Sequence, residues 1–205
     1  MGETEKNTHD LILDAAKAEF LEKGFQNASL RSIVKAAGVT TGALYGYYGS
    51  KEALFDALVQ ECYEHFMSTY QAALDTFAQL PPEEQPEHMG EISSTCMREL
   101  LLYMYAHRDA FHLLLLHSAG TRYAAMVDEI VALEVAATHR YYAVLARLGL
   151  AAPQIDSRLE HILVTGLMNA YFEMIIHDMP QEDAQLYLRE LHEFYTAGWT
   201  KIMGQ

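Results

Sequence analysis

Ser29-Leu-Arg-Ser-Ile-Val-Lys-Ala-Ala-Gly-Val-Thr-Thr-Gly-Ala-Leu-Tyr-Gly-Tyr-Tyr-Gly-Ser-Lys51 belongs to a run that begins at Lys23 and contains no Asp or Glu. The whole chain of 205 residues carries a formal net charge of −14. Four cations, Lys23, Arg31, Lys35 and Lys51, therefore stand unopposed in sequence within a strongly acidic protein. The same stretch punctuates itself. Ser29 stands as the cap of a short helix with Leu30, Ile33, Val34 and Ala37 inward, and Gly38 ends it where a left-handed turn needs no Cβ. Thr40 or Thr41 caps a third helix that stops by Gly49, and Ser50 caps a fourth running to about Phe77. A first helix over about 8–23, capped by Thr8 and stopped by Gly24, buries Leu11, Ala15, Ala18 and Leu21 or Phe20. Two short helices about a glycine-containing turn, braced by a longer one, describe a helix-turn-helix.

The chemistry of the third helix suits a DNA major groove. Thr40, Thr41, Gly42 and Ala43 make its start narrow, so the backbone can approach base edges and the threonine methyls can meet thymine methyls. Tyr45 and Tyr47 carry phenols toward phosphate oxygens. Ser29, Arg31 and Lys35 lie on the second helix beside the DNA backbone, and Lys51 forms a second phosphate clamp with the free N–H groups opening the fourth helix. A carboxylate anywhere here would face phosphates at close range, which accounts for the missing acids.

The pattern Arg31-x-Ile-x-x-x-Ala-Gly-Val-x-x-Gly-x-Leu-Tyr-x-Tyr-Tyr-x-Ser-Lys-Glu-x-Leu54 resembles the DNA-binding signature of the TetR/AcrR transcriptional regulators over about residues 8–58. The resemblance implies a homodimer whose paired recognition helices read a palindromic double-stranded operator. It also implies a ligand pocket between helices four and seven, and a dimer interface on helices eight and nine. Position by position, phosphate contacts fall on Ser29, Tyr45, Tyr47 and Lys51, and base contacts on residues from Thr40 to Ala43. Tyr48 stands where the family has an inward phenylalanine and reads as core. Gly46 replaces a larger DNA-facing side chain and weakens the helix by about 1 kcal/mol. Val34 replaces a usual alanine, which bears on packing. With few long side chains for base edges, part of the specificity is expected from DNA shape.

Helical periodicity continues through the rest of the chain, without strand-like alternation. After a proline-rich loop (Pro81, Pro82, Pro86), helices are expected over about 89–106, 109–117, 122–148, 154–177 and 181–203, the last two separated by Pro180. The fold class is all-α with about nine helices: a DNA-binding domain over residues 1–50 and an effector-binding and dimerisation domain over 51–205. Residues 1–50 hold five Lys or Arg against six Asp or Glu, and the remainder nine against twenty-two. Polyanion binding is thus confined to the N-terminal patch. The N-terminus lacks a signal-peptide core and no apolar run approaches a membrane span, so a cytoplasmic protein is expected.

Helix nine presents Tyr187, Leu191, Phe194, Tyr195, Gly198 and Ile202. Helix eight presents Leu159, Ile162, Leu163, Gly166, Ala170 and Ile175. Either a second copy or the chain itself can cover these faces, and paired recognition helices about 34–36 Å apart favour the second copy. The interface is assigned to Leu163, Gly166, Ala170, Leu191, Phe194, Tyr195 and Ile202. Polar groups on apolar stripes, Glu99, Glu134 and His65, need partners: Arg98 or Arg140 for the acids, or a ligand cation. Cys62, His65, Glu99, Tyr103, Glu134, Thr138 and Met168 are the candidate effector-pocket residues; Met67, Met104 and Met126 could line an adaptable pocket, although methionines on helices are more often ordinary core. Cys62 and Cys96 fit free buried thiols. His107, His112 and His117 are five apart and do not share a face, so no metal site is assigned. No cofactor is implied, and no nucleophile elbow, phosphate loop or paired acids point to an enzyme.

Overall fold

Capping chemistry sets the helix boundaries. In the computed structural model, which describes residues 7–150 and 155–202, the order is α1 (Thr8–Asn27), α2 (Leu30–Ala37), α3 (Thr41–Tyr47), α4 (Lys51–Gln79), α5 (Gln85–Ala106), α6 (Arg108–Leu116), a 3₁₀ turn (Arg122–Ala125), α7 (Met126–Arg147), α8 (Ser157–Ile176) and α9 (Gln181–Ile202). Gln154 and Met203, the expected start of the eighth helix and end of the ninth, lie outside the described residues, as does Pro153, expected with Gly149 to end the seventh. The described chain is all helical. Among the described residues no helix is long and apolar enough to cross a membrane.

Several expected boundaries move. Asn7, not Thr8, caps α1, its Oδ1 accepting from the Asp10 N–H at 3.0 Å. Gly24 breaks α1 (φ 71°, ψ 164°) but helical turns resume to Asn27. The buried face of α1 is Ile12, Ala16, Glu19 and Phe20, whereas Leu11 is 38% exposed and Ala18 is exposed. Leu11, Ile12 and Leu13 stand side by side, so apolarity circles the helix and periodicity alone sets no phase. Helix α5 starts four residues before Met89, because Pro86 sits in its first turn, where the missing N–H costs nothing. Residues 122–125 form a 3₁₀ turn ahead of α7.

The described chain divides into two compact units. The first joins residues up to Glu64 with His107–Ala124; the second joins His65–Ala106 with the chain from Ala125 onward. The first half of α4 and all of α6 thus pack with the N-terminal helices, although the sequence reading placed the division after residue 50. In the first unit Phe20, Phe25, Phe55 and Tyr123 form an aromatic core with ring centroids 5.2–6.2 Å apart. Ile33 of α2 and Leu44 of α3 are fully buried beside it. Burying each of these two side chains contributes roughly 1.5–3 kcal/mol, which holds α2 against α1 and α3 against α2. The second unit packs Phe66, Leu100, Leu101, Met104, Ile130, Leu145, Met168, Phe172 and Ile175 into its core. Tyr171 anchors it by donating to the Met97 carbonyl at 2.8 Å.

Candidate nucleic-acid interface

The helix-turn-helix is held from behind. Gly38 takes a left-handed conformation (φ 66°, ψ 26°) and turns the chain out of α2. Thr40 Oγ1 accepts from the Ala43 N–H at 3.1 Å and starts α3. Ser50 Oγ does the same for α4 through the Ala53 N–H, also at 3.1 Å. Tyr48 is buried, as expected, and its hydroxyl lies 2.9 Å from His9 Nε2 of α1.

Two of the four cations are already taken up by partners within the chain. Lys51 Nζ donates to the carbonyls of Phe25 (2.7 Å), Gln26 (3.2 Å) and Ala28 (3.2 Å), and sits 4.5 Å from the centre of the Phe25 ring. All three ammonium N–H bonds are used on the last carbonyls of α1 and its exit, so the side chain acts as a helix C-cap in place of the expected phosphate clamp. Lys23 is not unopposed either. Its Nζ lies 2.9 Å from both carboxylate oxygens of Glu19, one turn earlier. Glu19 Oε1 also accepts from the Ser29 N–H at 3.0 Å, so one buried carboxylate ties α1 to the start of α2. Burial works to raise the Glu19 pKa, but Lys23 and the Ser29 N–H outweigh it and hold the group below its ordinary value. Ser29 occupies the cap position of α2 without a side-chain capping bond, contrary to expectation, which leaves its half-buried hydroxyl for other partners.

What remains outside is a narrow, acid-free surface. Arg31 and Lys35 are exposed on α2, and Thr40, Thr41 and Gly42 are exposed where α3 begins. Tyr45 and Tyr47 are 53% and 52% exposed, and Ala43 is half-buried. Gly46 also faces open space: a Cβ there would meet nothing within 4 Å. Exposed phenols flanking a helix tip without long side chains can reach phosphates while the tip approaches base edges.

Comparison with known proteins bears on this geometry. Residues 12–58 match the family of bacterial regulatory proteins named tetR. That match covers less than half of the chain and includes α2 and α3. It is 34% identical over 68 residues to the HTH-type transcriptional regulator UidR of Escherichia coli K12, a span covering 33% of this chain and 35% of UidR. The chain thus spans about a third of the length of that relative. The fold extends further: NalD, the secondary repressor of the MexAB-OprM multidrug efflux pump in Pseudomonas aeruginosa, is 22% identical with a TM-score of 0.56 over 93% of this chain and 94% of its own. FadR from Bacillus subtilis, solved with stearoyl-CoA, gives 16%, 0.58, 93% and 98%.

The second unit contains a cavity of about 140 Å³. Of the expected pocket residues, Glu134 and Thr138 line it. Glu99 and His65 are exposed, with the His65 ring 3.9 Å from that of Tyr103. Met168 is buried core, and Cys62 is buried in the first unit. Neither Arg98 nor Arg140 serves Glu134, both being exposed; Tyr70 does, donating its hydroxyl to Oε2 at 2.6 Å. Burial raises the Glu134 pKa and the Tyr70 bond opposes that rise. Burial also pushes the Cys96 thiol up to about 11, which keeps it an inert thiol. Sequence reasoning missed the lining residues Tyr70, Phe77, Met89, Tyr141, His192 and Trp199. Aromatic positions spaced by three and four on α4 and α9 carried a faint signal, but periodicity does not separate cavity wall from filled core.

On the expected dimer faces, Leu159 (47%), Ile162 (63%), Phe194 (72%) and Ile202 (37%) are exposed. Leu163, Ala170 and Leu191 are half-buried. Ile175 is fully buried. Gly166 and Tyr195 meet within the chain, since a Cβ on Gly166 would stand 3.0 Å from the Tyr195 hydroxyl.

Proposed function

We propose that this protein is a ligand-responsive transcriptional regulator, a repressor that leaves a palindromic operator when a small molecule occupies the second unit. The observation that supports it best is the acid-free face of α2 and α3, with Arg31, Lys35, Thr41, Gly42, Tyr45 and Tyr47 exposed on a molecule of net charge −14. A homodimer is part of the reading, supported by the exposed apolar side chains Leu159 and Ile162 on α8 and Phe194 on α9. Effector occupancy would act through α4, whose residues fall in both units. A coupling of about 1–3 kcal/mol between the sites is enough to release DNA. No catalytic step belongs to this reading.

The test is retention of labelled duplex across a salt series. Several phosphate contacts per subunit require affinity to fall steeply with salt. A flat response would instead favour a helical small-molecule carrier with a vestigial DNA head. A regulator without an effector would keep the salt response, while no compound would raise its melting temperature.

A further inference from the structure

The cavity in the second unit has an uneven chemistry. Its walls include Tyr70, Phe77, Tyr141, Tyr195 and Trp199, and its one carboxylate is Glu134. No lysine or arginine is among the described residues that line it. A carboxylate away from bulk water needs a cation or a set of donors. Glu134 has a single donor, the Tyr70 hydroxyl on Oε2; no described residue donates to Oε1. Aromatic faces attract cations as well, through the negative face of the ring. Acid and rings therefore favour the same kind of guest.

Resting on the reading of this unit as the effector site, we propose that the cavity takes a small organic ammonium ion, one ring in size, with its charged nitrogen against Glu134 and its apolar body among the aromatic walls. The volume sets the size: a cavity near 150 Å³ accommodates about one benzene ring. His192, the other titratable group facing the guest besides the thiol and phenols, is depressed below the ordinary histidine value by burial, which favours its uncharged form beside a cation. Anions and acyl chains ending in carboxylate are disfavoured, because Glu134 would face them without a compensating cation.

Trp199, the single tryptophan of the chain, lines the cavity and reports on it directly. The test titrates Trp199 fluorescence with benzylamine, protonated at neutral pH, and with benzyl alcohol, its uncharged counterpart, for the wild type and for Glu134→Gln. The expected result is saturable benzylamine binding that weakens about tenfold in the variant, the size of a typical charge-assisted contact, while the alcohol changes less than twofold. Glu134→Asp, which keeps the charge, should retain preference for the amine. Equal binding of both probes, equal weakening of both by Glu134→Gln, or binding of neither overturns the proposal. Duplex retention measured without either probe separates the two readings. DNA binding with no amine preference sinks the ligand class alone, and lost DNA binding sinks the regulator reading while leaving the amine result standing.

Discussion

Replacing Lys51 by Met removes the ammonium and keeps most of the side-chain stem. The ammonium makes one bond of 2.7 Å and two of 3.2 Å to the last carbonyls of α1 and its exit. A hydrogen bond to a charged group contributes about 1.5–3 kcal/mol when shielded. Lys51 is only half-buried and the Gln26 bond is exposed, so water can take over the longer contacts. The ring contact adds roughly 0.5–1 kcal/mol. The net loss is about 2–3 kcal/mol, or roughly 4–12 °C in melting temperature for a chain of this size. Thermal and urea unfolding read it directly. The same variant should keep the wild-type dependence of duplex affinity on salt at a temperature where it is folded, because a cation held on carbonyls neutralises no phosphate. Arg31→Ala is the counterpart: melting unchanged within about 2 °C, and the slope of log K against log salt shallower by about 0.9 per subunit. Unchanged melting with a shallower slope for Lys51→Met would refute the inward placement and restore the clamp.

Gly46→Ala should stabilise the protein by about 0.5–1 kcal/mol, because the new Cβ meets nothing and the helix gains propensity; no rise in urea midpoint would mean that α3 is not helical there. Glu19→Gln should cost about 1–2 kcal/mol at neutral pH. The folded pKa of Glu19 is lowered, so its contribution is present above the ordinary carboxylate value and fades as pH falls through the folded one. The gap between wild type and Glu19→Gln should therefore narrow in acid, and a constant gap down to pH 2 would count against the latch. Glu134 carries the opposite sign. Its folded pKa is raised by burial, so the folded state is favoured while the group is protonated and loses stability as pH rises through the folded value. Wild type should lose ground to Glu134→Gln between acid and neutral pH, read as the difference in their melting temperatures; parallel curves would show a carboxylate already solvated.

The turn between α2 and α3 was legible because each signal is local: a left-handed glycine at Gly38, a threonine cap three residues from its donor, and a serine cap before α4. What escaped is long-range. The Lys51 contacts span 23–26 residues, and the Glu134–Tyr70 bond spans 64. Reading charge along the chain made Lys23 a free cation, although Glu19 stands just outside the acid-free run and reaches it through one helical turn. The phase of α1 was lost for a related reason: Leu11, Ile12 and Leu13 offer three possible faces, and packing chose Ile12.

These corrections change the electrostatics expected of the interface. An acid-free run with four cations suggests four phosphate-neutralising groups per subunit, but only Arg31 and Lys35 are exposed without a described partner, since Lys23 and Lys51 hold α1. Tyr45, Tyr47 and Ser29 can donate to phosphate oxygens, yet a neutral donor displaces no counterion. A dimer bound through two cations per subunit has a slope of log K against log salt near −4, whereas four per subunit would bring it to about −7. The shallower figure is the one expected of the proposed interface. It also fits an acidic molecule whose remaining surface resists DNA, so that affinity comes from neutral contacts made only where the α3 tip fits the groove. A measured slope near −7 would mean that Lys23 and Lys51 leave their partners on binding, and that the exit of α1 is remodelled by DNA.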